Sequence, residues 1–330
     1  MKKMNESMKS LVLALLMATG TLAPVAGQAS DVKPQLRIEP AEHAEAAMSS
    51  PILAATHAGK SVVAVGDHGI VLLSDDDGKT FRQARSVPVD STLTAVSFID
   101  QRTGWAVGHG GVIVRTQDGG ETWKLQRSDT SVDQPIFSVY FKDASEGWAV
   151  GLWSLMLHTT DGGATWSTVQ LPPPAGQKKA DRNLYAIFAD PKGNLFVACE
   201  QGRVMRSTDG GKNWTYAETG YAGSFWTGIS LQDGILLVGG LRGTIYRSAD
   251  GGNSWQVAQT PFKSSVTDII EVAGKRVIAV GLDGVTLESH DEGVTFTGKQ
   301  RSDRSVLTAI LDAGPAAPPL LFSTNGLLAP

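Results

Sequence analysis

One eight-residue string recurs six times along this chain and constrains its fold more than any other feature. The copies are SDDDGKTF from Ser74, TQDGGETW from Thr116, TTDGGATW from Thr159, STDGGKNW from Ser207, SADGGNSW from Ser248 and SHDEGVTF from Ser289. Their starts lie 42, 43, 48, 41 and 41 residues apart, a period that belongs to stacked or circular supersecondary units. Each unit divides into four short extended segments bounded by Gly, Asp or Asn, with no helical period, which predicts a four-stranded antiparallel meander. Such units pack radially, because a ring buries both faces of each sheet and leaves only short edges. The expected fold class is therefore all-β, a propeller of four-stranded antiparallel blades. The 37 glycines in 330 residues exceed the usual share of about 7% and match a chain full of turns.

The string has a mechanical role of its own. In TQDGGETW, the Asp118 carboxylate can accept backbone N–H groups of its tight turn, Gly120 can take positive φ, and Trp123 can enter the layer between blades. The same structural role is expected of Asp76, Asp161, Asp209, Asp250 and Asp291, and of Trp166, Trp214 and Trp255. One carboxylate per turn, without a bidentate Glu, poorly suits a calcium ion that needs six to eight oxygens. No metal and no cofactor are expected.

After the sixth string, Leu307 to Ile310 repeats the first segment, Leu320 to Gly326 the second, and Leu327-Leu328 begins a third. The extended stretch Gln35-Leu36-Arg37-Ile38-Glu39 is expected to supply the missing strand, so that a composite blade shared by both termini closes a ring of seven. Ahead of it, Lys2, Lys3 and Lys9 precede an apolar run from Leu11 to Met17 and then small residues, the order of a secretory signal peptide over residues 1–29. Cleavage near Ala29 would leave residues 30–330 as one propeller domain in the periplasm or otherwise outside the cytosol. The single Cys199 cannot form an internal disulfide and, within Leu195 to Cys199, reads as a small buried hydrophobe. A net charge of −4 gives no electrostatic reason to expect a nucleic-acid partner.

In a meander blade, the second-to-third turns share one face with the blade-to-blade connectors, and the repeated strings occupy the other. The turns contribute Asp67, His68, His109, Trp153, Glu200, Gln201, Arg242, Asp283 and Asn325, a chemically diverse set on a rigid scaffold, which is what a protein-binding face requires. Trp153 stands out as an indole where other turns carry polar or small residues. The longest connector, residues 171–183, carries three prolines and the basic cluster Lys178, Lys179 and Arg182, expected beside Trp153. His68 and His109 fall at equivalent turns of successive repeats but lack a third strong ligand for zinc.

Tandem S/T-x-D-x-G-x-T/S-W strings are Asp-box, or bacterial neuraminidase repeat, motifs. Paired with the preceding segments Thr94 to Phe98 and Gly104 to Ile113, they resemble the photosystem II stability and assembly factor family of seven-bladed propellers, from about residue 50 to the C-terminus. The resemblance implies a non-enzymatic protein, a monomer when unbound, that supports assembly of a membrane-associated protein complex through a basic patch. Relatives in bacteria without photosynthesis point toward an inner-membrane transporter complex, and a photosynthetic host would point toward a reaction-centre complex. The alternative is a sialidase-like glycoside hydrolase of the same repeat type, which needs an arginine triad and a Tyr nucleophile paired with Glu. Leu36-Arg37-Ile38-Glu39-Pro40 fits its first arginine stretch only loosely, and Tyr140, Tyr185, Tyr216, Tyr221 and Tyr246 include no clear nucleophile. The near-constant repeat spacing also leaves no long insertion to build an active site, so an enzyme is not expected.

Overall fold

The computed structural model describes residues 38–314 and 317–328. The expected signal peptide and residues 35–37 of the expected closing strand lie outside them. Six antiparallel sheets of four strands follow one another, at residues 52–83, 93–127, 136–168, 184–218, 225–257 and 266–300, and a seventh at 307–328 has three strands among the described residues. Within each sheet strand order follows chain order, and the whole is a seven-bladed β-propeller. Ahead of the first strand, Glu45–Ser49 form one 3-10 turn.

The burial gradient across a blade explains its sequence pattern. Second strands such as Gly104–Gly108, Gly147–Gly151 and Leu195–Cys199 are buried at every residue, so they read as unbroken apolar runs, as strands covered on both faces do. Outer strands such as Ser167–Thr168 and Thr297–Gln300 are exposed throughout, which makes them mixed and weakly legible.

The Asp boxes tie the third strand to the outer strand as their residue types predict. In blade 2, Asp118 Oδ1 accepts the backbone N–H of Thr122 at 2.9 Å, Oδ2 accepts the Thr122 hydroxyl at 2.6 Å, and the Thr116 hydroxyl donates to Oδ1 at 2.8 Å. The Gly120 N–H closes the turn on the Thr116 hydroxyl, with φ at 93°. Hydrogen bonds from Thr80, Thr165, Ser254 and Thr295 pull Asp76, Asp161, Asp250 and Asp291 down to about 2, and the Asn213 backbone N–H does the same for Asp209. Trp123 and Trp214 are buried and donate their indole N–H to Gly120 and Gly211 carbonyls, whereas Trp166 and Trp255 are half-buried with no acceptor.

A folded-state pKa held below the unfolded value stabilises the fold above the unfolded pKa, and the contribution disappears as pH falls through the folded value. The boxes are thus expected to support the fold above about pH 4 and to release it toward pH 2. Asp118→Ala should cost about 1 to 3 kcal/mol in urea unfolding, by leaving turn donors unpaired, and melting should be the same with and without EDTA. A large EDTA-induced drop would contradict the box assignment.

The ring closes with the same contact that joins its other blades. Each box glycine presses on the blade before it: a Cβ on Gly120 would meet Leu73, one on Gly211 would meet Trp148, and one on Gly293 would meet Leu237. Gly78 of blade 1 sits in the same way on Leu320 of blade 7, and the Phe81 and Phe322 rings meet edge to face at 6.2 Å. Hydroxyls at the inner strands repeat the pattern, with Thr94 donating to Ile136 O, Thr267 to Leu307 O and Thr308 to Ile52 O.

The described end of the segment expected to close the ring behaves differently from a strand of blade 7. Ile38 packs on the core shared by blades 1 and 2, Glu39 N–H donates to Asp90, and Ala41 N–H to Val87 O. Farther on, Ala47 of the 3-10 turn is buried with Phe322 and Leu327 of blade 7. The chain entering the propeller therefore bridges the first and last blades through side-chain packing on the turn face.

Cys199 occupies an instructive position. At the equivalent register of five other blades stand Gly66, Gly108, Gly151, Gly240 and Gly281, where an added Cβ would lie 2.0 to 2.2 Å from the carbonyl oxygen preceding the inner strand. Blade 4 departs from that pattern in carrying a side chain there, and burial pushes the Cys199 thiol up to about 12, leaving it protonated and inert at neutral pH.

Candidate functional site: the turn face of blades 3 to 5

Six blades make the second-to-third connection through a tight turn whose apex is left-handed. The apex residues are His68, Gly110, Trp153, Gln201, Arg242 and Asp283, with φ between 51° and 68°. This register separates the two histidines: His68 is an apex, and His109 stands one position earlier, in line with Asp67 and Leu152. Asp67 is held by the Thr92 hydroxyl, whose bond lowers its pKa, and by His68 N–H. It pins the turn to the next connector, while His68 stays outside with its side chain 82% exposed. Asp283 similarly accepts the Ser264 hydroxyl, and Arg242 and Asn325 are exposed. Among the described residues no group of three or more His, Cys, Asp and Glu could hold a metal ion.

Blade 3 departs from this pattern. In blades 1, 2, 4, 5 and 6 the apex is followed by a left-handed glycine, namely Gly69, Gly111, Gly202, Gly243 and Gly284. Blade 3 has Trp153 at φ 52° followed by Ser154 at φ 57°. Two consecutive left-handed residues bearing side chains are costly, roughly 1 to 2 kcal/mol each. Trp153 is also 59% exposed, so the indole does not recover that cost by packing.

The long connector is what accommodates the pair. A Cβ on Gly69, Gly202 or Gly243 would strike the carbonyl of the following connector at 1.8 to 2.2 Å, so the short connectors run too close for any side chain. In blade 3 the connector carbonyl of Arg182 instead accepts both the N–H and the hydroxyl of Ser154, at 2.6 and 3.1 Å, and Asn183 Oδ1 accepts Trp153 N–H at 3.1 Å. The extra residues thus turn a steric conflict into an anchored junction. Lys178 and Lys179 are exposed on that connector, as expected. Arg182 is not part of the exposed basic tip: it is 9% exposed, with Asp181 at 3.4 Å and Glu200 at 3.9 Å. Its backbone carbonyl must face Ser154, which turns the guanidinium inward toward those carboxylates. Glu200 is correspondingly engaged rather than free.

Beneath the apex lies an aromatic group that sequence reading passes over. Every inner strand carries a bulge at its second residue: Leu53, Thr94, Phe137, Tyr185, Trp226, Thr267 and Thr308. In blades 3, 4 and 5 these are aromatic and half-buried. The Phe137 and Tyr185 rings stack at 5.6 Å, and Tyr185 joins Trp153 through Asn183. The signal was present in the alignment of the repeats, where threonine gives way to Phe, Tyr and Trp in three successive blades. No tyrosine hydroxyl is bonded to a glutamate among the described residues; Tyr221 donates to Leu241 O, and the hydroxyl of the half-buried Tyr216 is buried without a partner.

Residues 83–234 match the family described as photosynthesis system II assembly factor YCF48. No curated protein sequence matches the chain. Among solved structures, YCF48 bound to D1 peptide is 19% identical with a TM-score of 0.66, covering 88% of this chain and 95% of that one. YCF48 from Cyanidioschyzon merolae is 16% identical with a TM-score of 0.67, covering 88% and 97%. The extracellular domain of a one-component system from B. thetaiotaomicron, at 10% identity and a TM-score of 0.66, shares the fold over 88% of this chain and 39% of that one.

Proposed function

We propose that this chain, whose residues 83–234 match the photosystem II assembly factor family and whose fold is that of YCF48, is an exported, non-enzymatic assembly factor whose turn face at blades 3 to 5 captures a protein segment of a membrane-associated complex. One observation carries the reading: Trp153 and Ser154 hold an exposed indole in a backbone conformation that five sister turns reserve for glycine at one or both positions. Strain of this kind persists where surrounding structure imposes it, and it clusters at binding sites. Next to it the half-buried Phe137 and Tyr185 stack, Trp226 holds the same register in the following blade, and the connector that anchors the turn carries the exposed Lys178 and Lys179. An aromatic anchor with a charged rim suits a segment that is partly apolar and acidic. That a relative has been solved with a D1 peptide bound supports a peptide segment, rather than a small molecule, as the occupant. The basic leader before residue 30 supports export.

Photo-crosslinking in the native host tests the assignment. A crosslinking residue at Gln201, beside the anchor, should trap a membrane-complex subunit, while the same residue at Lys212 on the box face should trap none. Equal trapping from both faces would overturn it.

A further inference from the structure

Blades 4 and 5 carry an arginine just before the box serine, cross-strand from a large apolar residue: Arg206 opposite Phe196 and Arg247 opposite Leu237. Both reach the box of the following blade. Arg206 Nη1 donates to Asn253 Oδ1 at 2.6 Å, and Arg247 Nε donates to Glu292 O at 2.9 Å with the Glu292 carboxylate 3.5 Å from its fork.

Arg115 holds the same position in blade 2, opposite Trp105, with its guanidinium 5.2 Å above the indole. The box it faces, in blade 3, reads Asp161-Gly162-Gly163-Ala164 where the following blades offer Asn253 or Glu292. No acceptor side chain is there to meet it. Arg115 makes no hydrogen bond or ion pair among the described residues, and its Nε is buried without a partner. It lines a cleft of about 360 Å³ together with Gln117, Asp118, Thr122, Lys124, Leu125 and Gln126. The acids nearby are engaged elsewhere, Asp118 by its own turn and Glu121 by Arg82 at 2.6 Å.

We infer that this cleft at the blade 2–3 seam binds a carboxylate. A guanidinium presents parallel N–H donors that match a carboxylate in a two-point grip, and its seat 5.2 Å over the Trp105 ring restrains it. Lys124 adds a second positive charge to the wall. The carboxylate fills the place that Asn253 fills for Arg206. It can come from a free organic acid or from the acidic side chain or terminus of a peptide. The site lies at the box end of the outer strands and stands independently of the turn-face reading.

The test follows the Arg115 Nε–Hε resonance in the full domain, assigned with Arg115→Lys, during titration at low salt. The probes are acetate, a peptide amidated at its C-terminus with one internal glutamate, and a peptide with a free C-terminus and no acidic side chain. A saturable shift is expected with at least one, and sodium chloride at equal ionic strength should not reproduce it. Tighter binding of a peptide than of acetate assigns the peptide source; equal binding assigns the free acid. Ala164→Asn should supply the missing acceptor from within the protein and weaken binding at least roughly tenfold while keeping the fold, as should Arg115→Gln, followed in that variant through the indole N–H resonance of the neighbouring Trp105. No saturable shift with any carboxylate, the same shift with chloride, or wild-type binding in both variants would overturn the inference.

Discussion

Trp153→Gly combined with Lys178→Glu and Lys179→Glu is expected to lose capture of the membrane partner by about 100-fold or more, the scale set by removing a central aromatic anchor together with its charged rim. The fold should survive unchanged. Glycine takes the left-handed apex without the cost of roughly 1 kcal/mol that tryptophan bears there, while its looser unfolded chain gives back a similar amount. Melting temperature is therefore expected to stay level or rise slightly. Co-purification from solubilised membranes gives the first quantity and thermal unfolding the second. Wild-type recovery of the partner would remove the turn face from the mechanism. A large fall in melting temperature would mean instead that Trp153 has a packing role that its 59% exposure argues against.

The largest effect on stability is expected from the glycine that follows an apex in a blade with a short connector. Gly202 has φ at 64°, and a Cβ there would lie 1.8 Å from the Tyr221 carbonyl oxygen. Gly202→Val meets both obstacles at once. The left-handed penalty and the overpacking together amount to about 3 kcal/mol or more, measurable by urea unfolding. Gln201→Gly, one residue earlier, should change stability by less than about 1 kcal/mol, because that apex is exposed and already left-handed. If Gly202→Val were as stable as wild type, the connector would be free to move away, and the account of why blade 3 alone carries a serine at this position would fail.

Residue types at fixed local spacing determined much of this protein before any long-range contact was considered. The Asp box closes on itself through bonds spanning two and four residues, so its geometry is written wherever the string is written, and six copies plus a partial seventh specify the blade count. The second strands were equally legible, because a strand buried on both faces has no polar positions to obscure it. Tertiary structure alone decided what depends on neighbours some forty residues away. Arg182 could be read as a basic tip until the carbonyl it offers Ser154 turned its side chain inward. His68 and His109 seemed equivalent until backbone conformation set the apex one residue apart. Phe137 and Tyr185 stack only because radial packing brings the same register of neighbouring blades together. Arg115 resembles its sister arginines in sequence, and only the facing blade, with glycine and alanine where the others have an acceptor, leaves it unpaired. Hydrogen bonds within a turn are set by the order of the residues; what a side chain meets across a seam is set by the ring.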